Sequence, residues 1–299
     1  MGTEEPVAVP GNEAVFSVIS TGSAVTKVKT GDWVLPAHTN LGTWRTHLQV
    51  PETAIFPIDK NAITISQAAG VSVNPLTALQ LLRWHRQHNS GKGKGLYIQN
   101  GANSAVGRMI IQLGKIIDYP GISIIRARED KAAESALKEE LKALGATHVF
   151  TDAEAYSKSF AEELPKLTNG GEQPILGGFN CVGGDALLGM AKLMSEGGKI
   201  RTYGAMSKAP LKIPTGLLIF KDLKFSGYWV SRWGEENPRG KQKALEYILQ
   251  LYREKKLVEG PTEELKWDFD TPAEELVKAV QGTLEGYRKG KGMFVFGDT

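Results

Sequence analysis

The sequence predicts an α/β protein: a doubly wound parallel sheet joined to a smaller β-rich region. Three observations carry this. Short apolar runs alternate with longer helical stretches from Leu96 to Gly204. Small residues cluster where the first of those runs passes into its helix, in LYIQNGANSAVGRMIIQL (Leu96–Leu113). The residues before Lys60 instead form brief β-rich runs broken by proline. Parallel strands need long crossover connections, so strict strand–helix alternation is their signature.

In chain order, AVFSVIS (Ala14–Ser20) and DWVLPA (Asp32–Ala37) read as strands, and Pro36, Pro51 and Pro57 oppose helix. From Ser66 the period lengthens. Leu76, Ala78, Leu79 and Leu82 suit an amphipathic helix that Asn74–Pro75 starts. LYIQN leads to a helix from Ala105. GISIIRA (Gly121–Ala127) leads to EDKAAESALKEELKALG, which stops at Gly145. THVFT (Thr147–Thr151) precedes a weaker helix, and QPILGGFNCVGG precedes DALLGMAKLMSEGG. KIRTYG (Lys199–Gly204) follows, LKFSGYWVS (Leu223–Ser231) gives a sixth strand, and Lys241–Leu257 a helix. The tail from Glu263 reads strand, helix, strand and returns to the N-terminal β-region.

Composition narrows the function. The chain has 299 residues, a 41% hydrophobic fraction and a net charge of +3 from 36 basic and 33 acidic side chains. That near balance is not the basic field of a nucleic-acid binder, and RKGKG (Arg288–Gly292) reads as a solvated turn. No apolar run approaches the roughly 18 residues of a membrane span. The N-terminal MGTEEPVAVPGNEAVF has neither signal-peptide nor transit-peptide character. Cys181 is the sole cysteine, so no intramolecular disulfide and no four-cysteine zinc can form. His85 and His88 have helical i, i+3 spacing but no acidic or thiolate partner nearby in sequence, and read as a polar helix end rather than a metal site.

The small-residue turn after LYIQN is where a site is expected. Free N–H groups at a helix N-terminus carry partial positive charge, and small side chains let a pyrophosphate approach. The turn departs from G-x-G-x-x-G: the three positions hold Ala102, Ser104 and Gly107. Alone it is equally a close-packed strand–helix connection. The next strand adds to it. Where an NAD site places an acid for the ribose 2′-hydroxyl, SIIRARED places Arg126 and Arg128, which suit a 2′-phosphate; solvated surface arginines are the alternative.

QNGANSAVG, GVSVNPLTA, KALGATHVFTD, FNCVGG, RTYGAMS and YWVSRW together resemble the mitochondrial 2-enoyl thioester reductases of the zinc-free medium-chain dehydrogenase/reductase superfamily. The resemblance implies a Rossmann-type cofactor domain at 66–255, and a GroES-like substrate domain formed by 1–65 and a C-terminal return at 256–299. It implies NADPH as cofactor, held by Asn74, by Asn103, Ser104, Ala105 and Val106 on the turn, and by Arg126, Ala127 and Arg128. It adds Tyr203, Gly204, Ala205 and Met206, then Tyr228, Trp229, Val230 and Ser231, and finally Lys291. It further implies enoyl-CoA or enoyl-acyl carrier protein as substrate, fatty acid synthesis as the process, no metal, a mitochondrial (alternatively cytoplasmic) location and no membrane or nucleic-acid partner. A homodimer through the apolar stretch TGLLIFKDLKFSGYWVS (Thr215–Ser231) at the last strand is expected. The family's tyrosine acid is expected upstream of Met1, leaving the GroES-like domain incomplete at its start and the catalytic acid unassigned. A quinone- or alkenal-type reductase and a catalytically impaired NADPH-binding protein are the alternatives. Cys181, with no His–acid pair adjacent in sequence, reads as a buried inert thiol.

Overall fold

The computed structural model describes residues 9–89, 95–268, 270–284 and 290–297. Part of the RKGKG tract therefore lies outside the described residues. In chain order the elements are β1 (Phe16–Ser17), β2 (Trp33–Pro36), β3 (Ile55–Ile58), α1 (Ile65–Gly70), α2 (Asn74–Asn89) and β4 (Leu96–Gln99). Then come α3 (Ala105–Ile116), β5 (Gly121–Ile125), α4 (Lys131–Leu144), β6 (His148–Thr151), α5 (Asp152–Ala155), α6 (Phe160–Leu167) and β7 (Ile175–Asn180). They are followed by α7 (Gly184–Leu193), β8 (Lys199–Thr202), α8 (Thr215–Ile219), β9 (Lys224–Gly227), α9 (Val230–Glu236) and α10 (Pro238–Arg253). The chain closes with β10 (Thr262–Trp267), α11 (Ala273–Leu284) and β11 (Lys291–Phe296). Two compact units result, 74–230 and the split unit 1–73 with 231–299, where the sequence reading divides at 65/66 and 255/256.

The continuous unit holds a six-stranded parallel sheet in the order β6-β5-β4-β7-β8-β9. Its central strands β4, β5 and β7 are buried along their whole length, as strands covered on both faces must be. One face packs Ile98, Ile122, Ile124, Ile175 and Ile200 against Leu187, Met190 and Met194 of α7 and its end. The other presents Ile125 and Val149 to Ile111 of α3 and to Leu137 and Leu141 of α4. Local signals fix the helices. Ser104 caps α3, and Asp130 caps α4 by accepting from Ala132 and Ala133 N–H at 2.9 and 3.0 Å. Gly145 ends α4 in the left-handed region at φ 113°.

Three local readings need correction. The helix α2 is not amphipathic in its first turns: every residue from Pro75 to Leu82 is buried. His85 is not at a polar helix end; it is 2% exposed and bonded to the Tyr119 hydroxyl. The apolar stretch near the last strand is strand only over Lys224–Gly227, with TGLLI forming α8 before it and Val230 opening α9 after it.

The split unit carries an antiparallel β1-β2-β3 sheet and a parallel β10-β11 pair. The strand β3 includes Pro57 opposite Val34. Proline lacks a ladder donor, and β3 tolerates it because it is an edge strand. The helix α10 buries Ala244, Leu245, Ile248, Leu249 and Tyr252 on one face. Trp44, Trp267, Leu276, Val280 and Phe294 line an open apolar cavity of about 290 Å³ beside the β10-β11 pair.

Candidate functional site

Chain order reverses between β4 and β7: β5 and β6 extend the sheet to one side of β4, β8 and β9 to the other. The crevice at such a point, outside the carboxyl ends of the strands, is where open α/β sheets bind ligands. A buried amide relay builds it. Asn100 Nδ2 donates to Asn180 Oδ1 at 2.8 Å, and Asn180 Nδ2 donates to Thr202 Oγ1 at 3.0 Å. Asn100 Oδ1 accepts from Cys181 N–H at 2.8 Å, and Asn180 Oδ1 from Gly183 N–H at 3.0 Å. Both asparagines are at most 2% exposed, so loss of either side chain leaves unpaired buried groups.

The turn from β4 into α3 is tight. Gly101 sits at φ 60°, and a Cβ there would fall 2.5 Å from Cys181 Sγ. A Cβ at Gly107 would fall 2.6 Å from the Ala102 carbonyl oxygen, so only glycine lets α3 begin this close to β4. Ser104 Oγ accepts from Gly107 N–H at 3.1 Å. The N–H groups of Asn103, Ala105 and Val106 have no acceptor among the described residues. Those three donors sit at the N-terminus of a twelve-residue helix, where an anion would be stabilised. Cys181 lies beneath the turn, 3% exposed, and burial pushes its thiol pKa up, consistent with an inert thiol.

Beyond β5, two carboxylates hold the backbone. Ala127 N–H donates to Asp152 Oδ1 at 2.8 Å and Arg128 N–H to Glu134 Oε2 at 2.7 Å. The Arg128 amide is the main reason the Glu134 carboxyl is held below its ordinary range. The side chains of Arg126 and Arg128 are exposed, and neither makes a hydrogen bond or salt bridge among the described residues. By contrast, the guanidinium of Arg108 on α3 is engaged by both oxygens of Glu140 on α4, at 2.6 and 3.1 Å.

The loop after β8 is tied to the loop after β7. Met206 N–H donates to the Cys181 carbonyl at 2.9 Å, and Ser207 N–H to the Val182 carbonyl at 3.0 Å. Gly204 and Ala205 complete this loop. The Tyr203 hydroxyl is buried beside the Cys181 thiol and the Ser104 hydroxyl without a hydrogen bond of proper geometry, and desolvation raises its pKa well above the ordinary value. The Tyr228 hydroxyl, past β9, is also buried and unbonded. Trp229 is 62% exposed, while Val230 and Ser231 open α9. The structure thus gathers Asn103–Val106, Arg126–Arg128, Tyr203–Met206 and Tyr228 at the carboxyl ends of four strands of one sheet. Asn74 stands apart as the first residue of α2. Lys291 lies in the split unit, at the start of β11, bonded to Glu13.

Residues 105–247 match the model of the zinc-binding dehydrogenase family. The mitochondrial enoyl-acyl-carrier-protein reductase of Yarrowia lipolytica is 41% identical over 288 residues, covering 96% of this chain and 73% of that protein. The chain belongs to the enoyl-acyl-carrier-protein reductase family. Its fold agrees: a solved complex of the enoyl thioester reductase Etr1p with NADP and crotonyl-CoA superimposes at a TM-score of 0.89. That match has 35% identity and covers 98% of this chain and 81% of the other. The heterodimer of the mitochondrial 2-enoyl thioester reductases Etr1p and Etr2p from Candida tropicalis matches at 0.87, with 36% identity, over 95% of this chain and 80% of that one. Although the matching family model takes its description from zinc, no group of three His, Cys, Asp or Glu residues able to hold a metal occurs among the described residues.

Sequence reasoning missed Asn100, Asn180 and Glu13. The asparagines did leave a signal, since each closes an otherwise apolar strand, in LYIQN and ILGGFN. Glu13 left none: its partners Val73 and Lys291 are 60 and 278 residues away.

Proposed function

We propose that this chain reduces trans-2-enoyl thioesters, on CoA or acyl carrier protein, with NADPH as reductant. The observation that carries the reading is the set of uncommitted donors at the carboxyl ends of the sheet in a member of this family. The donor set fits a dinucleotide with a 2′-phosphate. Free amides of Asn103, Ala105 and Val106 suit the pyrophosphate, and the exposed guanidiniums of Arg126 and Arg128 suit the 2′-phosphate. The orphaned hydroxyls of Tyr203 and Tyr228 mark places where a polar ligand group would be favoured. Met206, Trp229 and Val230 lie just past the same strand ends.

When bound, NADPH supplies a hydride for the electrophilic β-carbon of the conjugated thioester. The chain's own residues orient the cofactor and keep its phosphates neutralised, so that reaction begins from a fixed geometry. The unit 74–230 carries all of these donors. The test is NADPH oxidation followed with crotonyl-CoA, with NADH and a quinone as controls. Turnover of crotonyl-CoA with NADPH well above that with NADH is expected; turnover of the quinone alone would overturn the reading.

A homodimer through the β9 edge is part of the proposal. β9 is the sheet's outermost strand, and Leu218, Ile219 and Phe220 just before it are 45%, 66% and 81% exposed. An exposed apolar edge calls for a partner. Light scattering should give twice the chain mass, and Phe220→Asp should lower it. Mitochondrial residence follows from kinship, and cell fractionation tests it.

A further inference from the structure

We propose that Glu134 is a positioning residue for cofactor choice: its carboxylate fixes the peptide from which Arg128 projects, so that the guanidinium is placed to take the 2′-phosphate of NADPH. The inference rests on the reading above that Arg126 and Arg128 hold that phosphate. It starts from where Glu134 stands. The helix α4 buries Glu134, Leu137 and Leu141, spaced i, i+3 and i+7. That spacing is one face of a helix, and its two leucines pack in the core beneath it. The face calls for an apolar residue at 134, yet it holds a carboxylate that is only 7% exposed. A carboxylate is retained in such a place only where partners compensate its lost hydration. The shortest of its hydrogen bonds comes from the Arg128 N–H, 2.7 Å from Oε2. Lys131 Nζ, on a side chain 72% exposed, reaches Oε1 and Oε2 at 3.3 and 3.2 Å.

The other acids around the arginines are committed in the same way. Asp130 Oδ1 accepts from Ala132 and Ala133 N–H of α4. Asp152 Oδ1 accepts from Ala127 N–H at 2.8 Å and from Ala153 N–H at 2.9 Å. Glu129, exposed beside Arg128, pairs with neither arginine among the described residues. Carboxylates thus grip the backbone at 127 and 128, while both guanidiniums stay without an ion pair. Had Glu134 paired with the Arg128 guanidinium instead, a phosphate would first have to break that pair. A bidentate guanidinium–phosphate contact needs its donors placed to within about an ångström. Fixing the peptide before the ligand arrives removes part of the ordering cost from binding. Because Leu137 and Leu141 seat α4 in the core, the grip of Glu134 ties Arg128 to the sheet unit as well as to its own loop.

The test is calorimetric titration of the full chain with NADPH and with NADH, for wild type, Glu134→Ala, Glu134→Gln, Arg128→Ala and the Glu134→Ala/Arg128→Ala double variant. Glu134→Ala removes the acceptor and should weaken NADPH about fivefold to tenfold and NADH less than twofold. Glu134→Gln loses the charge but keeps an oxygen for the Arg128 N–H, and should restore most of the NADPH affinity. Once Arg128 is Ala, Glu134→Ala should change NADPH affinity less than about twofold. Equal losses for NADPH and NADH, or a loss that persists without the Arg128 side chain, mark a merely structural role and overturn the proposal. A loss in Glu134→Gln as large as in Glu134→Ala overturns it too. Unchanged or tighter NADPH binding by Glu134→Ala also overturns it, leaving the 2′-phosphate reading intact. Wild type that binds NADPH no better than NADH overturns that reading and the proposal with it. Should Glu134→Ala not fold, Glu134→Met fills the same space without an acceptor, and the same pattern is expected of it.

Discussion

The two units solve the same problem differently. The sheet of 74–230 is one continuous segment, and β4, β5 and β7 are buried at every residue. The other unit is assembled from 1–73 and 231–299, and no residue of β10 or β11 is fully buried. In the first, helices pack on strands adjacent to them in sequence, α3 on β5, α4 on β6 and α7 on β7, so the core grows by local steps. In the second, the described strands pair within each segment, the segments meet through side chains such as Trp44 and Phe294, and an apolar cavity stays open beside that pair. Ligand groups that need precise placement are therefore expected to draw on the first unit for rigidity.

The largest expected effect tests that contrast in stability. Phe179 is fully buried in β7, against Tyr97 and His85. Phe179→Ala should cost about 3–5 kcal/mol in urea unfolding, as deletion of a well-packed ring does. Phe294→Ala, on β11 at the rim of the open cavity, should cost less than half as much. Equal costs would erase the distinction between the units.

Cofactor choice comes next. Replacing Arg126 and Arg128 together by Ala should cost roughly 2–4 kcal/mol of NADPH affinity, since charged hydrogen bonds are worth about 1.5–3 each and do not simply add. NADH affinity should barely change. Equal losses for both cofactors in calorimetry would mean that the pair does not read the 2′-phosphate.

A pH effect should localise to the sheet unit. Burial holds the His85 pKa down at about 4 from an ordinary 6.5. The folded state therefore favours the neutral ring. Its stabilising contribution is fully present above pH 6.5 and is lost as the pH falls toward 4. At about 1.4 kcal/mol per pKa unit the loss is about 3 kcal/mol. Amide exchange in β7 should accelerate over that window, and His85→Gln should remove the dependence. The smallest effect is at the surface. The Arg108–Glu140 pair joins α3 to α4 but is partly exposed, so Glu140→Gln should cost at most about 1 kcal/mol, and less in high salt.

Much of this molecule was legible as a string. The six strands of the sheet are short runs of apolar and β-branched residues between turn residues, and a contiguous apolar run of that length has few other ways to be buried. The end of α4 was legible at Gly145, because its left-handed backbone favours glycine. The arginine pair was legible because its position follows from the strand that carries it. Where local signals conflict with packing, the reading failed. Pro57 hid β3, which exists because its edge position forgives the missing donor. The apolar stretch around Phe220 and Trp229 offered strand and helix alike, and only placement at the sheet edge divided it into α8, β9 and α9.

By itself, then, the sequence determined the parallel sheet, its glycine turn and the residues at its carboxyl ends, because those depend on contacts between near neighbours and on side-chain periodicity. Tertiary structure alone decided which polar groups meet. Asn100 finds Asn180 across 80 residues, His85 finds Tyr119 across 34, and Glu13 finds Lys291 across 278. Hydrogen bonds depend on distance in space over an ångström or so, and no periodicity along the chain encodes that distance.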